Sequence, residues 1–152
     1  MLAGVIDAGW LGCRVADSLL TDLALRSQQL EDAAKYCQQA QFANQAVNDP
    51  TESAAILYAQ AKLDHFLGDH AAGLANAIQS AQLYTAMGDR KATAIVNHFV
   101  GRLYLAGQNS VAAQRAAEHG LLLARALEDS ELIEMYESQL EAVAKQSLIS
   151  PV

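Results

Sequence analysis

Apolar and small residues along the chain recur at spacings of three and four, the period of a helix with one buried face, and short polar breaks interrupt them. The pattern predicts helices at about 12–27, 30–47, 52–67, 70–87, 91–106 and 110–127, with a last one near 130–146. The breaks are Asp49-Pro50, Gly68-Asp69, Gly88-Asp89, Gly107-Gln108-Asn109-Ser110 and Glu128-Asp129-Ser130, residue types that stop or cap helices. No segment reads as a strand, so the expected fold class is all-α with about seven helices.

The chain also matches itself at a shift of 40 residues. Ala33, Gly73 and Ala113 fall in one column, Cys37, Ala77 and Ala117 in a second, and Ala40, Ser80 and Gly120 in a third. All are small, and their offsets of four and three put them on one stripe, where a neighbouring helix can approach closely. In the preceding helices Leu23, Leu63 and Leu103 are in phase, as are Thr21, Ala61 and Gly101. Asp49, Asp89 and Asp129 mark the end of each unit. The chain therefore reads as a single domain, 1–152, of three helix pairs, about 12–49, 52–89 and 91–129, closed by a capping helix at about 130–146. Glu131, Glu134, Glu137 and Glu141 give that last helix an acidic, solvated outer face.

These columns resemble those of the tetratricopeptide-repeat family. The third unit carries the resemblance best, with Gly101, Tyr104 and Gly107 around its first helix and Ala113, Ala117 and Gly120 on its second. The second unit follows with Ala61, Gly68, Gly73, Ala77 and Ser80, although Asp64 stands where the family has Tyr. In the first unit Thr21 and Ala24 depart from the pattern. A period of 40 rather than the usual ~34 residues points to the longer-period branch that includes kinesin light chains and bacterial peptide-sensing regulators. Armadillo-like and HEAT-like repeats are the alternative at this period. The resemblance implies an α-solenoid of stacked antiparallel helix pairs whose first helices line a concave, peptide-holding groove. On this chain the groove columns fall on Arg26, then Tyr58, Lys62, His65 and Phe66, then His98, Arg102 and Leu105.

Composition sharpens the functional expectation. The 152 residues carry a formal net charge of −7, and the ten Lys and Arg form no basic run, which argues against a nucleic-acid partner. Three of those ten, Arg26, Lys62 and Arg102, fall in the groove columns, with His65 and His98 beside them. Such a cluster in an acidic protein can focus attraction on a carboxylate or acidic peptide, with Tyr58, Phe66 and Leu105 as apolar anchors. The competing reading is that these cations are solvated, paired with Asp64 or Asp22, and that the apolar residues pack between helices.

No catalytic or cofactor constellation appears. The four histidines lack convergent metal-ligand spacing, although His65 and Asp69 form an i, i+4 pair, and no phosphate-binding glycine loop follows a strand. Cys37 sits in a small-residue column and reads as a buried packing residue; Trp10 and Cys13 have no assigned place. The apolar stretch from Met1 to Gly12 reads poorly as a secretory signal, nothing approaches a membrane span, and two cysteines fit a reducing cytoplasm. The sequence thus predicts a cytoplasmic, non-enzymatic module without cofactor, metal or membrane attachment, which binds a peptide or helix of a partner protein. A peptide-sensing regulatory domain and a self-association scaffold, through the apolar N-terminal end, are the other readings.

Overall fold

The structure, a computed structural model, describes residues 30–149, with the side chains of that span other than those of 30–34, 36, 46 and 47. Six helices make up the described residues: α1 (Leu30–Val47), α2 (Pro50–Phe66), α3 (His70–Met87), α4 (Arg90–Ala106), α5 (Ser110–Ala126) and α6 (Ser130–Ile149). The helix predicted at 12–27 lies outside the described residues, as do Trp10, Cys13, Leu23 and Arg26. Two boundaries differ from the sequence expectation for a clear reason. Pro50 opens α2 instead of preceding it, since its fixed φ suits the first helical position and its missing N–H would be unbonded there anyway. The last helix runs on to Ile149, because no glycine or proline stops it after residue 146.

The turns share one construction. Asp49, Asp69, Asp89, Asn109 and Asp129, spaced by twenty, each accept a backbone N–H of the next helix, from Thr51, Ala72, Ala92, Ala112 and Leu132 at 2.9–3.2 Å. Each such cap is worth about 1 kcal/mol. One residue before each cap, Asn48, Gly68, Gly88, Gln108 and Glu128 adopt positive φ, between 54° and 86°. At the last four, paired backbone bonds close the preceding helix: Gly68 and Asp69, for example, donate to His65 and Asp64 at 3.1 and 2.8 Å. Each helix and its turn thus occupy twenty residues, and a helix pair occupies the forty seen in the sequence.

The chain divides into two compact units between Leu83 and Tyr84. In the first, Cys37 and Ala40 of α1 form a core with Ile56, Ala59 and Leu63 of α2. Cys37 is buried there as a packing residue. α3 lies close against α2 at Gly73, where a Cβ would stand 3.0 Å from the Ala61 carbonyl oxygen. Farther along the same pair the Ser80 hydroxyl donates to the Ala54 carbonyl at 2.7 Å, and the Asn76 amide donates to Asp64 at 2.8 Å.

In the second unit Ala94 of α4, Ala117 and Ala124 of α5 and Leu132 and Tyr136 of α6 form the core. Three side chains of α6 tie it to carbonyls of α4: the Tyr136 hydroxyl donates to Ala94, Gln139 to His98 at 2.8 Å, and Gln146 to Leu105 at 2.8 Å. Gly101 permits this approach, since a Cβ there would lie 2.7 Å from the Gln139 amide. The outer side of α6 is different. Glu134 and Glu141, forty residues beyond the buried Ala94 and Gly101, are exposed, as are Glu131 and Glu137. Carboxylates in the columns where α4 takes a close neighbour oppose the approach of a further helix in the same way.

Candidate peptide-binding faces

The predicted groove residues sit on the first helices of the pairs, α2 in the first unit and α4 in the second. Four residues of α2 are involved. Tyr58, Lys62 and His65 are half-buried, and Phe66, at the end of the helix, is exposed. Spacings of four and three hold Tyr58, Lys62 and His65 on one face, and the Lys62 ammonium stands over the Tyr58 ring, 4.0 Å from its centroid. A contact of this kind contributes about 0.5–1 kcal/mol at an exposed site and orients the charge. Asp64, the counterion that the sequence offered for Lys62, has both oxygens engaged by amides, one by Gln60 at 3.0 Å and the other by Asn76 at 2.8 Å. The His65 ring is tilted against Phe66, with centroids 6.2 Å apart, and its Nδ1 lies 3.0 Å from Nδ1 of His70. Sequence spacing had coupled His65 with Asp69. The reason it met His70 instead is that α2 ends at Phe66, and the turn through Gly68 swings the first residue of α3 back beside it.

On α4, Arg102 is exposed and His98 and Leu105 are half-buried. The Arg102 guanidinium lies 5.9 Å from the centroid of the buried Phe99 ring, at the outer edge of cation–π range. Among the described residues Arg102 forms no ion pair, whereas Lys91 pairs with Asp129 at 3.6 Å. His98 is wedged between α4 and α6, its ring edge-on to Tyr136 with centroids 5.4 Å apart. Burial holds the His98 imidazole below its ordinary value of 6.5; a hydrogen bond with the Met135 backbone opposes that shift, and the Arg102 charge adds to it. At neutral pH the positive charge on this face therefore belongs to Arg102.

Met135 was missed by the sequence reading. It is the forty-residue successor of Ile95, which lies three residues before His98 on the same side of α4; it is partly exposed, and its backbone holds His98, so the face continues from α4 onto α6. Extending the columns one helix further would have found it. A cleft of about 400 Å³ also opens in this unit, lined by Gln114 of α5 and by Leu140, Val143, Ala144, Ser147 and Leu148 of α6. Its lining carries no charged or nucleophilic group beyond one serine hydroxyl. Among the described residues no three His, Cys, Asp or Glu side chains converge as a metal site, and no helix is long and apolar enough to cross a membrane.

No protein-family model matches the chain, and no curated protein matches it. Among solved structures it is similar to a Signal Transduction ATPase with Numerous Domains (STAND) protein with a tetratricopeptide repeat sensor from Pyrococcus horikoshii. The TM-score is 0.76 at 17% identity, over 95% of this chain and 23% of that one. The chain thus spans less than a quarter of the length of that protein. A likeness of this extent at so low an identity concerns the fold, which is all-α and of the tetratricopeptide-repeat-like α-solenoid class, built from neighbouring antiparallel helix pairs.

Proposed function

We propose that the chain is a peptide-binding module, of the longer-period tetratricopeptide type, whose first-helix faces recognise an acidic segment of a partner protein. The observation that carries this reading is a cation in the same column of two first helices, each near an aromatic ring of its own helix. Lys62 stands over Tyr58, and forty residues on Arg102 lies beside Phe99, exposed and without a carboxylate partner among the described residues. A guanidinium that is exposed and not neutralised keeps its charge for a ligand, and forked hydrogen bonding to a carboxylate suits it to a peptide C-terminus or an acidic side chain. Tyr58, Phe66 and Leu105 supply apolar contact area beside these charges, in the manner of peptide grooves that combine a few anchors with polar specificity. The reading makes the chain a cytoplasmic interaction module, not an enzyme.

The test is direct binding of a fluorescent acidic peptide, read by anisotropy at two salt concentrations. The double substitution Lys62→Ala and Arg102→Ala weakens binding by about tenfold or more, while the helical circular-dichroism signal stays unchanged. Affinity that ignores both the substitutions and the salt rules the reading out. A second reading is supported by the description of the Pyrococcus horikoshii protein as carrying a tetratricopeptide repeat sensor. In that case the same faces take a small peptide effector, and this chain is the sensing segment of a larger regulator.

A further inference from the structure

The contact between His65 and His70 has a chemistry that neither helix packing nor peptide recognition uses. Two imidazoles five residues apart present Nδ1 atoms to one another at 3.0 Å, with ring centroids 5.0 Å apart and planes inclined by 53°. Such a contact needs a proton on one Nδ1 and a lone pair on the other. It also matches the separation of two nitrogens bound to one metal ion. With metal–nitrogen distances of about 2.0–2.1 Å, neighbouring ligands at a right angle stand about 2.9 Å apart, and ligands at the tetrahedral angle about 3.3 Å. The observed separation fits the right angle, the arrangement of tetragonal Cu²⁺ and Ni²⁺ sites.

The backbone fixes both ends of this pair. His65 belongs to the last turn of α2 and His70 is the first residue of α3. Gly68, at φ 86°, makes the turn between them, with Gly68 and Asp69 donating back to His65 and Asp64. Asp69 caps α3 through the Ala72 N–H, and Asp64 is anchored by Gln60 and Asn76. The two imidazoles are thus held by a closed turn, with a carboxylate-bearing residue beside each. The Asp69 carboxylate, as the cap of α3, offsets the unfavourable dipole that the start of that helix presents to a cation.

We infer that His65 and His70 form a two-nitrogen chelate for one tetragonal divalent transition ion of the copper or nickel class, with water completing its coordination. No third protein ligand joins them among the described residues, which makes the site open and exchangeable rather than structural. On binding, the ring that donates from Nδ1 moves that proton to Nε2, so both Nδ1 lone pairs face the ion and no net proton is released from the neutral pair.

The experiment titrates the full chain with Cu²⁺ alone in a non-coordinating buffer, following affinity by calorimetry and nitrogen ligation by electron paramagnetic resonance. One equivalent is expected to bind with a two-nitrogen hyperfine pattern. His65→Gln and His70→Gln each weaken that binding by more than the roughly 10- to 100-fold lost when only an outer-shell partner is removed. His119→Gln, on the exposed surface of α5, leaves it intact, and circular dichroism verifies that all three variants keep the fold. An unchanged isotherm in His70→Gln, or loss of binding in His119→Gln, overturns the assignment. Because the probe is the ion alone, this result is separate from the fate of the peptide-binding proposal.

Discussion

The ring of Tyr136 fills the space that any side chain on Gly120 would need: a Cβ built at Gly120 would collide with Cε1, Cζ and the hydroxyl of that ring. The hydroxyl then donates to the carbonyl of Ala94. Forty residues earlier the corresponding carbonyl, that of Ala54, receives its hydroxyl from Ser80, which stands in the column of Gly120. The two units satisfy equivalent carbonyls by different routes, from the second helix in one and from the following first helix in the other.

Gly120→Ala is therefore expected to destabilise the protein by about 1–3 kcal/mol, the cost of overpacking a rigid site. Gly120→Ser combined with Tyr136→Val copies the residues of the preceding repeat, Ser80 and Val96, into this one. That pair should be less destabilised than the sum of its single changes, which urea denaturation in a double-mutant cycle measures. Strict additivity contradicts the proposed exchange of roles.

The Gln139 amide lies where a Cβ on Gly101 would stand, within 2.7 Å of that position, and donates its N–H to the His98 carbonyl, leaving its buried oxygen without a protein partner. Gly101→Ala should cost about 1–3 kcal/mol by forcing that amide aside. Gln139→Met should be nearly neutral, since the lost hydrogen bond of about 1 kcal/mol is offset by removal of an unsatisfied buried acceptor. Chemical denaturation of the two variants distinguishes these outcomes.

Gln108 and Glu128 occupy the left-handed region at φ 61° and 54°, where side chains other than glycine are strained by roughly 1–2 kcal/mol. Replacing either with glycine should stabilise the protein by about 0.5–1 kcal/mol, less than the full strain because glycine also loosens the unfolded chain. A rise in the thermal midpoint for each, and no rise for glycine at the helical and exposed Gln114, checks the assignment.

Because burial disfavours the charged form of His98, the unfolded chain binds more protons than the folded one once the pH drops to about 6.5 and below. Stability attributable to His98 is complete above that value. It falls with acidification until the pH passes the lowered folded value, and is then constant. His98→Gln should flatten this part of the profile, measured as thermal midpoint between pH 7.5 and 5. An unaltered slope removes His98 as its source.

Much of the architecture was legible because close helix packing leaves a size signature. Gly73, Ala77 and Ser80, and Ala113, Ala117 and Gly120, were assigned to contact stripes from smallness and phase alone, and all six are buried. Aspartate caps gave the turns in the same way. The left-handed residues were less visible, since Gln108 and Glu128 carry no local preference for positive φ and are placed there by the hydrogen bonding of the whole turn. The His65–His70 contact was hidden for a related reason: it depends on how a turn folds back, which an i, i+4 rule within one helix does not describe. The role of Tyr136 required knowing which second helix lay beside it, and a column records equivalence, not adjacency.

The uniform spacing of the caps also bears on how such a chain changes length. A cut made after Asp69 and rejoined before Ser110 removes forty residues and still leaves an aspartate ahead of a helix start. Duplicating the same stretch likewise preserves every start and stop signal around it. Growth or loss by recombination can then proceed in whole helix pairs without inventing a new turn, and each event adds or subtracts one first-helix face at a time.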